Sequence, residues 1–502
     1  MSYRLVDSSA AAENLSPPSV LGQDYARPLP GEPAISTASA GPIWLYQALR
    51  ILFLAGVDAV ALSAAVGAAY WSWALSVLDQ PASLYYDVAG LLMLMPLGYA
   101  AAGLYPGFGI GAVETLRRFS YCTAFGFMAI AASSFLFKLP STHSRLTFLI
   151  AFLLASILVP ATRFIALSMA VGWRWWTEPV ILVGDGPWLV QTIRSLGKAR
   201  SIGFRPVGIL AANPETRAVE GVPFLDDAEA ARYLAAGSCR TVMVSDSEEH
   251  LARVGDLQRY FGRVIVVRRH MEIPVDGART FNLGGVLGIE FRSNLLRWQN
   301  RFLKRFIDIA AGGAALMLAA PLLLLAAVFV KATSRGPVFF GHERTGLEGE
   351  PVTVWKLRTM RVDAEARLER LLLGDPAMRD EWDRNLKLRR DPRVIRGGAL
   401  IRRFSLDELP QLWGVVRGRM SLVGPRPLPG YHLRRFPTEF RELRHRVRPG
   451  MTGLWQVMAR GSGGLEEHEI HDRYYIRNWS IWLDLYILAR TTLTVLAGRG
   501  AY

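Results

Sequence analysis

Residues 301–335 read RFLKRFIDIAAGGAALMLAAPLLLLAAVFVKATSR, and the way this stretch meets a membrane decides where everything after it lies. Its apolar run, 306–330, is long enough to span a bilayer, which takes about 20 residues. Arg301, Lys304 and Arg305 precede the run and Lys331 and Arg335 follow it, so a spanning helix would put one basic cluster on the wrong side. Pro321 stands in the middle, where it removes a helical hydrogen bond and bends the axis. A bent, re-entrant helix that enters and leaves by one face satisfies both facts. The alternative, a fifth true span, would carry the polar C-terminal third out of the cell. Asp308, near the entry point, is a candidate partner for a neighbouring arginine.

Upstream, four apolar runs near 51–77, 88–106, 119–137 and 147–171 each approach membrane-helix length. The loop 78–86 has no Lys or Arg, the next carries Arg117 and Arg118, and Arg50, Arg163 and Arg174 lie at the outer ends of the first and fourth runs. The positive-inside rule then puts the N-terminus and everything after residue 175 in the cytoplasm. Lys138 and Arg145, in the third loop, run against that rule. Asp58, inside the first run, has either a functional or a helix-packing role. Residues 1–43 are rich in Ser, Ala, Pro and Gly and read as a disordered tail, with no pattern of a cleaved signal peptide. A net charge of +15 together with 51% hydrophobic residues fits a membrane protein with a basic cytoplasmic surface and excludes a nucleic-acid binder. The two cysteines, Cys122 and Cys239, are too far apart in sequence and context to form a disulfide framework or a metal site.

From residue 178 the pattern becomes strand–helix alternation. PVILVGDGP (179–187), PVGILA, TVMVSD and VIVVRR read as strands, with helices near 188–199, 227–236 and 248–260: a small parallel α/β domain. Gly184 and Gly186 resemble a dinucleotide fingerprint, but Pro187 and Leu189 follow where a helix opening and a third glycine belong. A tight turn or a degenerate Rossmann unit fits better.

After residue 335 arginines crowd together. TVWKLRTM supplies Lys356 and Arg358. RRDPRVIRGGALIRRFSLDELPQL brings Arg402 and Arg403 beside Asp407 and Glu408. VRGRMSLVGPRPLP sets Arg426 between two prolines, and VRPGMTGLWQV adds Gly450 and Gly453. Guanidinium forks match phosphate oxygens, and prolines and glycines fix the loops that present them. Two carboxylates among such cations suit a magnesium–diphosphate site, and a carboxylate can also attack phosphorus itself. A surface ion-pair network is the plain alternative. Ser405 followed by Glu408 also fits a capping box, although Pro410 would remove a hydrogen bond beyond a first turn.

RRFSLDELPQLWGVVRGRMSLVGPRPLP together with VRPGMTGLWQV resembles the bacterial polyprenyl-phosphate sugar-1-phosphate transferases, the monotopic phosphoglycosyl transferases, over roughly 298–502. The resemblance implies a membrane α-helical bundle, a small Rossmann-like α/β domain and an α/β-containing monotopic catalytic domain held by a re-entrant membrane helix broken at Pro321. The expected layout is a tail at 1–43, a four-helix transmembrane bundle at 44–175, the Rossmann-like domain at 176–285, a linker at 286–300 and the re-entrant helix with the catalytic domain at 301–502. It further implies transfer of a hexose-1-phosphate from a UDP-sugar to undecaprenyl phosphate, with release of UMP, at the start of exopolysaccharide, capsule or O-antigen assembly. The catalytic domain would sit on the cytoplasmic face of the bacterial inner membrane, against its lipid.

By the same resemblance Asp407 is the nucleophile, through a phospho-aspartate, and Glu408 its partner in metal or proton handling. Both are candidate ligands of Mg²⁺. Lys356, Arg358, Arg402, Arg403 and Arg426 are candidate phosphate and substrate ligands. Glucose is the favoured sugar. A galactose-specific transferase, an inactive scaffold for polysaccharide export and an NAD-dependent sugar-nucleotide enzyme are the alternatives; a homodimer is left open. Trp479, Trp482 and Tyr486 suggest an interfacial helix, with a core helix as the equal alternative. His471, Asp472 and Asp484 are expected on the surface or at caps.

Overall fold

In the computed structural model the described residues are 43–136, 144–170, 173, 175–198, 203–210, 218–225, 239–267, 279–283, 286–290, 294–374, 378–379, 391–458 and 464–496. The expected tail up to residue 42, Lys138, Arg174 and the expected helix at 227–236 lie outside them. The chain divides into two compact units, Met1–Val57 with Arg163–Arg269, and Asp58–Thr162 with His270–Tyr502.

Among the described residues three helices are long and apolar enough to cross a membrane: the first run, continuous over Leu45–Leu75, then Arg145–Ala170 and Trp298–Thr333. The first comprises α1 (Ile43–Ala69) and a π-helical turn, Tyr70–Leu75. The run expected at 88–106 is not one helix. It breaks into α2 (Tyr86–Leu92) and α3 (Met95–Ala101) across a turn at Met93 and Leu94. Pro96 fits the break, because it has no N–H to continue the preceding helix and is at home in the first turn of a new one. α4 (Ala112–Leu136) and α5 (Arg145–Ala170) follow, and Ala61, Leu62, Tyr99, Phe119, Ala155 and Val159 share one buried cluster. Asp58 is fully buried and accepts a 2.6 Å hydrogen bond from Tyr105, in the loop after α3.

In the first unit Arg50 of α1 donates to the carbonyls of Trp175 and Thr177, tying that helix to the start of the sheet. β1 (Glu178–Val183) leads into α6 (Gly186–Lys198), then β2 (Phe204–Leu210), β3 (Ala218–Val219), β4 (Val222–Leu225), β5 (Thr241–Ser245) and β6 (Arg263–Val267). The sheet order is β3-β4-β2-β1-β5-β6, parallel throughout except for the β3–β4 pair. Central strands buried on both faces, such as the wholly buried β5, need the continuous Val/Ile/Met runs seen in the sequence. Residues expected to link the domains instead contain β8 (Val286–Glu290), which pairs antiparallel with β7 (Arg279–Leu283).

The C-terminal part of the second unit is organised by the 36-residue helix Trp298–Thr333, which runs on through Pro321 and would be about 54 Å long if straight. Its first arm packs Leu316 and Ala319 on the cluster of Val415, Leu422, Tyr475 and Ile487. Its second arm buries Ala326 and Val330 against Leu357, Ile395 and Ile401. Between them Met317, Leu318 and Leu325 are exposed, an apolar surface of the kind that meets lipid. Both arms therefore rest on one domain. Behind them, β9 (Phe339–Thr345) and β10 (Pro351–Leu357) form an antiparallel hairpin, and β11 (Ser421–Val423) pairs parallel with β12 (Gly450–Thr452).

Two expectations about this helix change. Lys304, expected only as part of the basic cluster before the apolar run, is buried and bonds Asp484 at 2.7 Å, and Asp308 accepts from the Ser421 hydroxyl and the Leu422 amide instead of pairing with an arginine. Asp484 and Asp472 are likewise buried, because each has a cation to neutralise it, Lys304 and Arg444. The C-terminal helix Ile481–Leu496 is a core helix. Trp479, just before it, is buried and donates to Asp484, Tyr486 packs on the core, and Trp482 meets Tyr121 of α4 edge-on at 5.6 Å. His471 stays at the surface side, bonded to the Glu467 carbonyl.

Candidate active site

The turn Leu406–Glu408 is 3₁₀, and its geometry replaces the expected capping box. Ser405 has left-handed backbone (φ 53°) and its side chain makes no cap bond. The turn is closed by main-chain bonds instead, from Ser405 N to Arg402 O at 2.9 Å and from Glu408 N to Ser405 O at 3.1 Å. A left-handed serine costs about 1 kcal/mol or more, strain that neighbouring structure must hold. Pro410 stops being an obstacle because helix Gln411–Val416 starts after it, where a missing N–H costs nothing.

Lys356, near the end of β10, reaches Glu408 Oε1 at 2.6 Å, with both side chains only partly exposed. Arg402, from helix Gly398–Arg403, donates Nε to Thr359 Oγ1 at 2.8 Å. Asp407 forms no ion pair among the described residues. Burial pushes its carboxyl up to about 6; Lys356 and Arg402 pull it down, while Glu408 pushes it further up. The result is a half-buried carboxylate that nearby cations stabilise without capturing, the condition of an available nucleophile or metal ligand.

The other candidates divide. Arg358 is buried and donates to Ser334 O at 2.9 Å, where the chain leaves the long helix. Gly336 (φ 115°) makes room, since a Cβ there would lie 2.2 Å from the Arg358 Nη1. Arg403 is exposed, with its guanidinium carbon 5.9 Å from the Phe404 ring centre. Arg426 is exposed on the loop after β11. The foot of that loop is main chain on main chain: a Cβ on Gly450 would lie 2.0 Å from Gly424 N, and one on Gly453 2.3 Å from Gly424 O. Only glycines permit that approach.

Sequence reasoning missed Thr359, the partner of Arg402, and the bidentate Arg393–Asp391 pair at 2.8 and 2.6 Å. An acid and an arginine two residues apart across Pro392 were the available signal. Magnesium needs few protein oxygens and shares those of a diphosphate. Among the described residues no group of three or more His, Cys, Asp or Glu is placed to hold a metal. Asp407 and Glu408 fit such an ion as a two-carboxylate set whose first member lacks an ion-pair partner among the described residues.

A family model described as bacterial sugar transferase matches residues 299–498. The UDP-galactose-lipid carrier transferase of Erwinia amylovora is 33% identical over 72% of this chain and 76% of its own length. The undecaprenyl-phosphate galactose phosphotransferase of Salmonella typhimurium is 31% identical over 72% and 76%. The UDP-glucose:undecaprenyl-phosphate glucose-1-phosphate transferase of Klebsiella pneumoniae is 37% identical over 45% of this chain and 47% of its own.

Proposed function

The chain belongs to the bacterial sugar transferase family, and on that premise we propose that it transfers a hexose-1-phosphate from a UDP-hexose to undecaprenyl phosphate, releasing UMP. The observation that carries the chemistry is Asp407: half-buried, without an ion pair among the described residues, and flanked by the Lys356–Glu408 pair and Arg402.

In the first step an Asp407 carboxylate oxygen attacks the phosphorus that bears the sugar. The bond to the bridging oxygen breaks, UMP leaves with that oxygen, and an aspartyl sugar-phosphate remains. In the second step an oxygen of undecaprenyl phosphate attacks the same phosphorus and expels Asp407, giving a lipid diphospho-sugar. The sugar C1–O bond is never broken, so anomeric configuration is retained. Lys356 and Arg402 hold negative charge near the attacked phosphorus, and Arg426 is assigned to substrate phosphate. Lys356 also keeps Glu408 in place beside the nucleophile. When bound, a magnesium ion held by Asp407 and Glu408 would neutralise the diphosphate and ease departure of UMP.

We read the long helix as a re-entrant membrane segment, and the way it is held supports that reading. Residues 304–319 and 323–330 pack on the same domain, so a helix crossing about 30 Å of hydrocarbon would drag catalytic residues through the bilayer. We place the domain on the cytoplasmic face, as the basic loops imply. The donor is a UDP-hexose; glucose is favoured by the domain layout, and galactose is the second reading because the two relatives matched over 76% of their length carry it in their names.

The test uses the full chain in lipid nanodiscs with Mg²⁺, undecaprenyl phosphate and a panel of UDP-hexoses, following UMP. Release with one hexose identifies the donor, and labelled sugar-phosphate should accumulate on protein when lipid is withheld. No release with any hexose, or equal release by Asp407→Asn, overturns the proposal.

A further inference from the structure

Behind the Arg426 loop lies a buried ionic network that the steps above do not use. Arg444, on helix Thr438–His445, is 7% exposed; Asp472 and His468, on helix Leu465–Asn478, are 2% and 5% exposed. One guanidinium nitrogen of Arg444 donates to Asp472 and lies 3.3 Å from His468 Nε2; the other donates to the main-chain carbonyl of Arg426. The Trp455 ring stacks on His468 at 4.1 Å and 11°, and Phe436 meets the same imidazole edge-on at 5.6 Å. Phe440 receives the guanidinium carbons of Arg444 and Arg473 at 5.7 and 5.2 Å.

Stability alone does not call for this arrangement, because well-packed apolar residues commonly stabilise as much as a buried ion pair. What apolar residues cannot do is donate to a loop carbonyl. The Arg444 fork does so from a position fixed by Asp472, and the carbonyl it holds belongs to Arg426. Pro425 and Pro427 fix the backbone on either side, and Gly424 rests on Gly450 below. On the other flank Asp308 and Tyr475 hold β11, with Asp308 accepting from the Ser421 hydroxyl and the Leu422 amide and the Tyr475 hydroxyl donating to Val423 O at 2.9 Å. The exposed Arg426 side chain thus grows from a fully restrained base, which lowers the ordering cost of binding an anion.

We propose that Arg444, clamped by Asp472 and His468, is a positioning residue that sets where the Arg426 guanidinium meets substrate phosphate. It rests on the assignment of Arg426 to phosphate made above. UMP release in nanodiscs is measured against UDP-hexose concentration for wild type, Arg444→Lys, Arg426→Ala and the double variant. Lysine lacks the fork, so Arg444→Lys should lower kcat/KM about tenfold in the wild-type background, the scale of a small misplacement. It should cost nothing further in the Arg426→Ala background, because residues acting through one group are non-additive.

His468→Gln keeps the Arg444–Asp472 pair and serves where Arg444→Lys does not fold. It should cost about threefold in wild type and nothing beside Arg426→Ala, with the melting temperature of the solubilised protein unchanged. Equal losses in both backgrounds, or no loss in wild type, overturn the positioning role. Full activity of Arg426→Ala would instead overturn the phosphate assignment, and the proposal with it.

Discussion

Two turns in this protein are built from similar parts and end in opposite states. After β1, Gly184, Asp185 and Gly186 bend the chain into α6; before helix Gln411–Val416, Ser405, Leu406, Asp407 and Glu408 do the same. In the first, the groups around the turn are spent on one another. The Trp188 ring lies on Gly184, where a Cβ would be 2.2 Å from the indole, and its N–H is spent on Val267 O at 3.0 Å. His250 bonds Ser245 at 3.0 Å and lies 3.6 Å from Asp185. In the second, a strained serine presents an aspartate that burial destabilises and no ion pair among the described residues neutralises. Glycines at a strand end foretell a turn; charge left without a full partner foretells chemistry.

The sharpest way to break this contrast is Asp407→Asn. It should lower UMP release by about a thousandfold or more and abolish the labelled adduct, whereas Asp185→Asn should leave transfer within twofold, an effect below about 0.4 kcal/mol in the barrier. Next, Gly450→Ala forces a methyl into the Gly424 backbone and should cost about 3 kcal/mol in chemical unfolding, together with most activity. Gly184→Ala should destabilise less, because an indole can shift where backbone cannot.

The pH profile sharpens the electrostatic half. Attack needs the carboxylate, so kcat/KM should fall as pH drops through about 6. Glu408→Gln removes a neighbouring negative charge and should move that acid limb to lower pH. Lys356→Met removes a positive one and should move it higher; shifts of the opposite sense would disprove the arrangement. The smallest expected effect is Ser405→Gly, which relieves left-handed backbone and should stabilise by about 1 kcal/mol or less, with activity retained.

Much of the site was legible because it is local. Lys356, Arg402, Asp407 and Glu408 stand in two short motifs, and their chemistry follows from residue type. That Arg358 also reaches Ser334 O, across the end of the long helix, is not legible in its motif, because that contact joins elements apart in sequence. The capping box failed for a related reason: Ser-x-x-Glu is necessary for that cap, but a left-handed φ at Ser405 points the hydroxyl elsewhere. Asp472 and Asp484 are expected at the surface or at caps, and Lys304 in the basic cluster before the apolar run, because their partners lie far along the chain; only packing brings Lys304 to Asp484 or Arg444 to Asp472.

By itself the sequence determined that an apolar segment containing Pro321 precedes an arginine-rich domain carrying an adjacent Asp–Glu dyad, since hydrophobic period, charge and motif are properties of neighbours. Tertiary structure alone decided which charges are spent and which are left available. Lys304, Asp308 and Arg444 are consumed in holding the scaffold, while Asp407 forms no ion pair among the described residues. That outcome depends on burial and on distances between remote residues, because desolvation and Coulomb energy are set by where the chain brings charges together and not by their order along it.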